Sequence, residues 1–302
     1  MATLRSVAEM RARVAEARRG GATIGLVPTM GALHDGHLSL IRRARERCDL
    51  VVVSLFVNPA QFNESTDLER YPRDETGDAH KARGAGADVL FAPGVEEVYP
   101  AGFSTSVQVS GPLTERLEGR ARGAAHFHGV TTVVAKLLAM VAPDVAFFGQ
   151  KDAQQVLVIR RMASDLNLPV RIEALPTVRD ADGLALSSRN ALLAPADRER
   201  ALALSRALGA ARSLAGEGEL SAAAITARAA AVLAERGITP EYLELVDPDT
   251  LEPLARLDRD ALLAVAARVG DIRLIDNAIL APAHARGAEP TPPKEAPTPC
   301  SA

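Results

Sequence analysis

His34 and His37 stand three residues apart in Val27-Pro28-Thr29-Met30-Gly31-Ala32-Leu33-His34-Asp35-Gly36-His37, where an apolar run stops, turns and restarts with helical spacing. Imidazole nitrogens donate hydrogen bonds to phosphate oxygens, and the first turn of a helix leaves backbone N–H groups open to an anion. Lys151, in Gly149-Gln150-Lys151-Asp152, is one of only four lysines, with Lys81, Lys136 and Lys294. A compact cation before a helix opposes the helix dipole unless an anion lies between them. In Ser187-Ser188-Arg189, two hydroxyls and a guanidinium can wrap a polyphosphate. Together these residue types suit the binding of phosphate groups and the stabilisation of charge on them. Taken singly, each run also fits a plainer reading: a βα turn with surface histidines, a lysine paired with Asp152, or a ligand-free helix-start loop.

The elements that would position these residues follow from periodicity. Ala22 to Val27 has the length of a strand, and Leu38, Ile41, Ala44 and Cys48 recur at helical spacing against Arg42, Arg43, Arg45 and Arg47. Asp35 is the expected N-cap, and Gly31 and Gly36 would clear space for a ligand. Leu50 to Val57 reads as a parallel strand covered on both faces, stopped by Pro59 in Asn58-Pro59-Ala60-Gln61-Phe62. Ligands of open α/β sheets bind at such carboxyl ends. Residues 66 to 87 read as loop and then a helix with a solvated charged face, followed by a short strand, Asp88 to Phe91. The glycine- and arginine-rich segment 117–129 reads as mobile, ahead of a helix from Val130 to Val141. A strand over Asp144 to Phe148 delivers Lys151 and Gln155 to its carboxyl end, and Val170 to Leu175 precedes the polar loop Pro176 to Asn190.

These elements predict an α/β fold, a Rossmann-like parallel sheet with helices on both faces, over residues 1–185. Ala-rich helices from Pro195 and Ser221, and strands over Glu241–Val246, Ala261–Val269 and Ile272–Leu280, predict a smaller C-terminal α+β domain over 186–282. Residues 283–302, with Pro290, Pro292, Pro293, Pro297 and Pro299, read as a disordered tail.

Composition narrows the function classes. The 302 residues are 47% hydrophobic and 24% charged, which suits a globular chain, and the first residues lack the apolar core of a signal peptide. A cytoplasmic location is expected. Net charge of −3, 3% aromatic content and no Trp argue against a nucleic-acid surface, and no apolar run has membrane-spanning length. Cys48 and Cys300 have neither disulfide-framework nor metal-ligand spacing.

The His-x-Gly-His spacing resembles the nucleotidyltransferase superfamily that includes class I aminoacyl-tRNA synthetases. Pro-Thr-Met-Gly-Ala-Leu-His-Asp-Gly-His resembles the pantothenate synthetase (pantoate–β-alanine ligase) family within it. Phe-Val-Asn-Pro-x-Gln-Phe ending at Phe62, Gly-Gln-Lys-Asp-x-Gln-Gln from Gly149, and Asp-Gly-Leu-Ala-Leu-Ser-Ser-Arg-Asn from Asp182 extend the likeness. The resemblance implies ATP-dependent condensation of pantoate with β-alanine through a pantoyl-adenylate, releasing AMP and pyrophosphate. It assigns catalysis to His34, His37 and Lys151. ATP contacts would come from Met30, Gly31, Ala32, Leu33, Asp35 and Gly36 with the two histidines. Gly149, Gln150, Lys151 and Asp152, then Val178, Leu186, Ser187, Ser188 and Arg189, would complete the nucleotide site, with Asp152 on the ribose. Gln61 and Gln155 would hold pantoate, and Asn58 would support that pocket. Leu186 replaces the family's Met, and Arg122 precedes Gly-Ala-Ala-His-Phe where the family has Pro-Gly-His-Phe. Mg²⁺ would arrive with ATP, no protein metal site is implied, and the family suggests a homodimer. Two rivals are a nucleotidyltransferase acting on a phosphorylated substrate, which needs further basic groups, and a nucleotide-sensing module that performs no chemistry.

Overall fold

The computed structural model describes residues 1–62, 68–69 and 71–283. The expected disordered tail lies outside them from residue 284, as does the start of the loop at Thr66. The first half alternates strand and helix: β1 (Ala2–Leu4), α1 (Val7–Arg19), β2 (Ile24–Thr29), α2 (Asp35–Arg47), β3 (Leu50–Leu55), α3 (Glu75–Gly84) and β4 (Val89–Phe91). Two short helices, Pro112–Glu115 and Glu118–Arg122, lead into α4 (Ala124–Val141), β5 (Val145–Gly149), α5 (Ala153–Asp165) and β6 (Arg171–Leu175). The remainder is α6 (Pro195–Gly216), α7 (Ala222–Ala234), β7 (Pro240–Val246), β8 (Ala261–Val269) and β9 (Ile272–Leu280).

The first six strands pair in parallel, in the order β1-β4-β3-β2-β5-β6, which is the expected α/β sheet. The runs of the inner strands β2, β3, β4 and β5 are mostly apolar because both faces are covered, and side-chain alternation splits them between two cores. Ile24, Leu26, Val52 and Phe148 join one cluster with residues of α1, α4 and α5. Val27, Val51, Val53 and Phe147 join another with α2 and α3. From β2 the chain moves outward to β3 on one side, while β5 leads to β6 on the other, so strand order reverses between β2 and β5. Their ladder covers only Gly25↔Val145 and Leu26↔Ala146, whereas β2 pairs with β3 from Ile24 through Thr29. Pro28 has no N–H to extend a ladder, and the carboxyl ends of β2 and β5 part into a crevice.

The C-terminal strands form a separate antiparallel sheet, β7-β8-β9. Leu262, Ala264 and Ala266 of β8 pack into the cluster of the parallel-sheet unit, while Leu263, Val265 and Ala267 pack under α6 and α7. This two-sided burial suits the apolar run of β8 from Ala261 to Ala267.

Several local expectations are corrected. His34, not Asp35, caps α2: its Nδ1 accepts from the Gly36 N–H at 3.2 Å, leaving the Asp35 carboxylate in the first turn, where the dipole favours it. The N-terminus contributes a strand, β1, too short to show periodicity. Segment 117–129 is largely helical rather than loop, through the short helix Glu118–Arg122, and α4 begins six residues before Val130. α3 is not simply solvated, because Asp78 is buried beneath the first motif. The glycines there make room for neighbouring side chains: a Cβ on Gly31 would meet Leu55 at 2.8 Å, and one on Gly36 would meet the His34 ring at 2.9 Å.

Candidate active site

A cavity of about 290 Å³ opens at the parted ends of β2 and β5 and is closed over by the C-terminal sheet. The turn after β2 requires unusual backbone, with Gly31 at φ 91° and Ala32 at φ 51°. Asp78 holds it, accepting the Ala32 N–H at 2.8 Å and the Leu33 N–H at 2.7 Å, while Lys81 Nζ donates to the Leu33 carbonyl at 2.9 Å. A left-handed alanine is thereby kept in place by a buried carboxylate.

This turn fixes both imidazoles. The His34 N–H donates to His37 Nδ1 at 3.4 Å, the Gly36 N–H donates to His34 Nδ1, and the rings lie 4.1 Å apart. With each Nδ1 accepting, the proton belongs on Nε2, which becomes the donor each ring offers the cavity. Burial, then the charge of Lys151, lowers His34 to about 4. Burial, then His34, lowers His37 to about 3. Both are neutral donors at pH 7.

The depressed values have a sign. Unfolded histidines titrate near 6.5, so below that pH the unfolded chain takes up protons the folded site refuses. Stability from these rings is complete above about pH 6.5 and is lost as pH falls through about 4 and 3. Urea midpoints measured from pH 7 to 4.5 should therefore fall more steeply for the parent than for a His34→Asn/His37→Asn double variant. Parallel curves would contradict the assignment.

From β5, a 3-10 turn over Gln150–Asp152 carries Lys151 into the cavity wall. Lys151 Nζ lies 3.1 Å from Asp152 Oδ1, so the plain ion pair is present, yet the lysine side chain is only 19% exposed against 46% for the aspartate. Asn58, also in the lining, is 1% exposed and bonded on every side. Its Nδ2 donates to Gln61 Oε1 and to the Gly129 carbonyl, both at 3.1 Å, and its Oδ1 accepts the Tyr99 hydroxyl at 2.8 Å. Gln61 Nε2 lies 2.9 Å from Met30 Sδ. The neutral amides Gln61, Gln155 and Asn58 all line this cavity.

The third motif is folded back on itself. The Leu186 N–H donates to the Val178 carbonyl at 3.0 Å, which sets these two residues side by side in the lining. Ser187 caps the turn Ser188–Leu192, and the Tyr71 hydroxyl is 3.4 Å from Ser188 Oγ. Arg198 of α6 ties Asp180 and Asp182, and Arg179 forms a fork on Asp276 of β9 at 2.6 and 2.9 Å.

Met30, His34, Gly36, His37, Gly149, Lys151 and Asp152 line the cavity, as do Val178, Leu186, Ser187, Ser188 and Arg189. Gly31, Ala32, Leu33, Asp35 and Gln150 lie outside the lining, in the turns that carry it. Sequence reasoning missed the cluster around Glu118. Arg273 grips this carboxylate at 2.7 and 2.8 Å, Arg122 Nε donates at 3.0 Å and the Tyr242 hydroxyl at 2.8 Å. Burial alone would raise the Glu118 carboxyl, but the Arg273 bond and charge, with Arg122, hold it at about 2. Also missed were Asp276 and Asn277, whose signal was a polar pair interrupting the apolar run of β9.

Neutral imidazole donors and a half-buried ammonium, meeting where the strand order reverses, mark an α/β enzyme that handles a nucleotide's phosphates. A family model for pantoate-beta-alanine ligase matches residues 2–279. The chain is 55% identical over 274 residues to pantothenate synthetase of Cereibacter sphaeroides, covering 91% of this chain and 98% of that one. It is 53% identical over 281 residues to the Moorella thermoacetica pantothenate synthetase, covering 93% and 99%. The crystal structure of pantothenate synthetase from Thermus thermophilus matches with a TM-score of 0.89 and 49% identity, covering 93% of this chain and 100% of that one. The pantoate-beta-alanine ligase of Francisella tularensis, complexed with beta-gamma ATP and beta-alanine, matches with a TM-score of 0.78 and 32% identity over 92% and 97%. The chain belongs to the pantoate–β-alanine ligase family, and it is a ligase. Among the described residues no helix is long and apolar enough to cross a membrane.

Proposed function

We propose that the cavity joins pantoate to β-alanine in two steps driven by ATP. A pantoate carboxylate oxygen attacks the α-phosphorus, the bond from that phosphorus to the bridging β-oxygen breaks, and pyrophosphate leaves with the electron pair. The amine of β-alanine then attacks the acyl carbon, the acyl–oxygen bond to AMP breaks, and the amine proton passes to solvent. Charge building on the phosphate oxygens in the first step meets the Nε2–H groups of His34 and His37, the Lys151 ammonium, and Ser187, Ser188 and Arg189. Met30, Gly36, Gly149, Val178 and Leu186 would frame the nucleotide, and Asp152 would take a ribose hydroxyl. Gln61 and Gln155 suit the hydroxyls and carboxylate of pantoate, with Asn58 locking Gln61.

The observation that carries this reading is that the neutral amides Gln61 and Gln155 line the same cavity as the imidazoles and the Lys151 ammonium. A phosphorylated acceptor would want further uncommitted cations, whereas Arg122 and Arg273 in the lining are bonded to Glu118. Mg²⁺ would arrive on the triphosphate. Residues 1–185 would form the binding domain and 186–282 its lid, in a cytoplasmic homodimer.

Enzyme, ATP, Mg²⁺ and pantoate without β-alanine should support exchange of labelled pyrophosphate into ATP. Gln155→Ala should weaken the pantoate dependence while sparing ATP affinity, and Lys151→Arg should impair exchange, because a planar fork does not replace a compact ammonium. Strict dependence of exchange on β-alanine would instead indicate a concerted reaction.

A further inference from the structure

Adjacent residues of β9 reach the two phosphate-facing motifs from opposite faces of one strand. Successive strand side chains point to opposite faces. Leu274, Ala278 and Leu280 pack under α6 and α7, and Asp276 shares their face. Ile275 packs toward the parallel-sheet unit, and Asn277 shares its face. Asp276 receives Arg179, at the base of the loop that ends in Ser187, Ser188 and Arg189. Asn277 Nδ2 donates to the carbonyls of Gln150 at 2.9 Å and Lys151 at 3.0 Å, so it grips the backbone of the lysine turn itself.

Both side chains are buried, Asp276 at 4% and Asn277 at 6% exposed, in a strand that is otherwise mostly apolar. Asn277 Oδ1 has no hydrogen-bond partner. A buried polar group left half-satisfied opposes stability, and an apolar residue would relieve that cost. The amide cannot turn over to relieve it, because its oxygen would then face two carbonyl oxygens. The residue is thus poorly explained as a stabiliser and well explained as a spacer.

We propose that Asn277 is a positioning residue for Lys151, and that the Asp276–Asn277 pair sets the spacing between the lysine turn and the Ser-Ser-Arg loop. Consecutive Cα atoms are held about 3.8 Å apart across a peptide bond, so the C-terminal sheet fixes both halves of the phosphate cage through one rigid unit. The proposal rests on the reading that Lys151 serves the phosphates. Its own content is that Asn277 acts through Lys151.

The test is a cycle of Asn277→Ala, Lys151→Ala and the double variant, read by pantoate-dependent pyrophosphate exchange and by overall pantothenate formation, with melting curves alongside. Asn277→Ala should reduce both rates by on the order of 10- to 100-fold, as for a catalytic group displaced by about an ångström. In the Lys151→Ala background the same change should cost less than about threefold, since the group it positions is gone. Asn277→Ser, which keeps one donor, should be faster than Asn277→Asp, which opposes the two carbonyls with an acceptor. This second pair carries the test if Asn277→Ala does not fold. Near-normal rates for Asn277→Ala, losses that multiply in the double variant, or Ser and Asp variants of equal rate would each overturn the proposal while leaving the role of Lys151 intact. Unimpaired rates for Lys151→Ala alone would overturn the reading beneath it, and the proposal with it.

Discussion

His37→Ala is expected to lower turnover by on the order of 10²–10³-fold while leaving the fold in place, the loss typical of one preorganised donor to a developing oxyanion. The ring enters the reaction neutral, with its Nδ1 occupied by the His34 N–H and its Nε2–H committed to the cavity. No reorganisation is needed when charge appears on the phosphate, which is why the loss should exceed that of an ordinary hydrogen bond. His34 has a second duty as the cap of α2. His34→Ala should therefore lose turnover and also about 1 kcal/mol of stability, whereas His34→Asn should keep the cap and lose turnover alone. Steady-state rates with circular dichroism and urea midpoints separate the two effects. Near-normal turnover in either alanine variant would reduce that histidine to a turn residue.

Glu118→Ala should be strongly destabilising, by roughly 3–5 kcal/mol, because it removes the buried carboxylate that several groups of the ion cluster share. Arg273 and Arg122 lose their carboxylate, and the buried Tyr242 hydroxyl loses its acceptor. Arg273 keeps Glu241 at 2.7 Å, which places the expected loss toward the lower bound. Glu118→Gln preserves shape and an acceptor for Tyr242 and should cost less. The cluster joins the segment before α4 to β7 and β9, so the urea midpoint should fall across the whole chain rather than in one unit. An unchanged midpoint would mean that the cluster is solvated and adds little.

What was legible in the sequence was whatever lies close along the chain. Strands β2 to β6 of the parallel sheet, the histidine turn and the lysine turn are written in apolar runs and short polar runs, and Ala261–Val269 and Ile272–Leu280 fall where the pattern put them. What was not legible depends on distant pairs. Asp78 looks like one more charge on a solvated helix, because its partners Ala32 and Leu33 lie 46 and 45 residues away. Glu118 looks like part of a loose Gly/Arg segment, because Arg273 is 155 residues off. The capping role of His34 was hidden by Asp35, a better cap by residue type, since only the folded turn shows which side chain reaches the Gly36 N–H. Motif residues announce themselves through local spacing, whereas the groups that hold them are chosen by the tertiary fold.

The central claim, attack of a carboxylate on the α-phosphorus, is tested most directly by isotope transfer. Pantoate carrying ¹⁸O in its carboxylate is incubated with enzyme, ATP, Mg²⁺ and β-alanine, and the products are read by mass spectrometry. The account predicts pantothenate together with AMP bearing one ¹⁸O, because the oxygen that attacks phosphorus stays there when the amine displaces AMP. Unlabelled AMP, or label appearing in inorganic phosphate beside ADP, would contradict it.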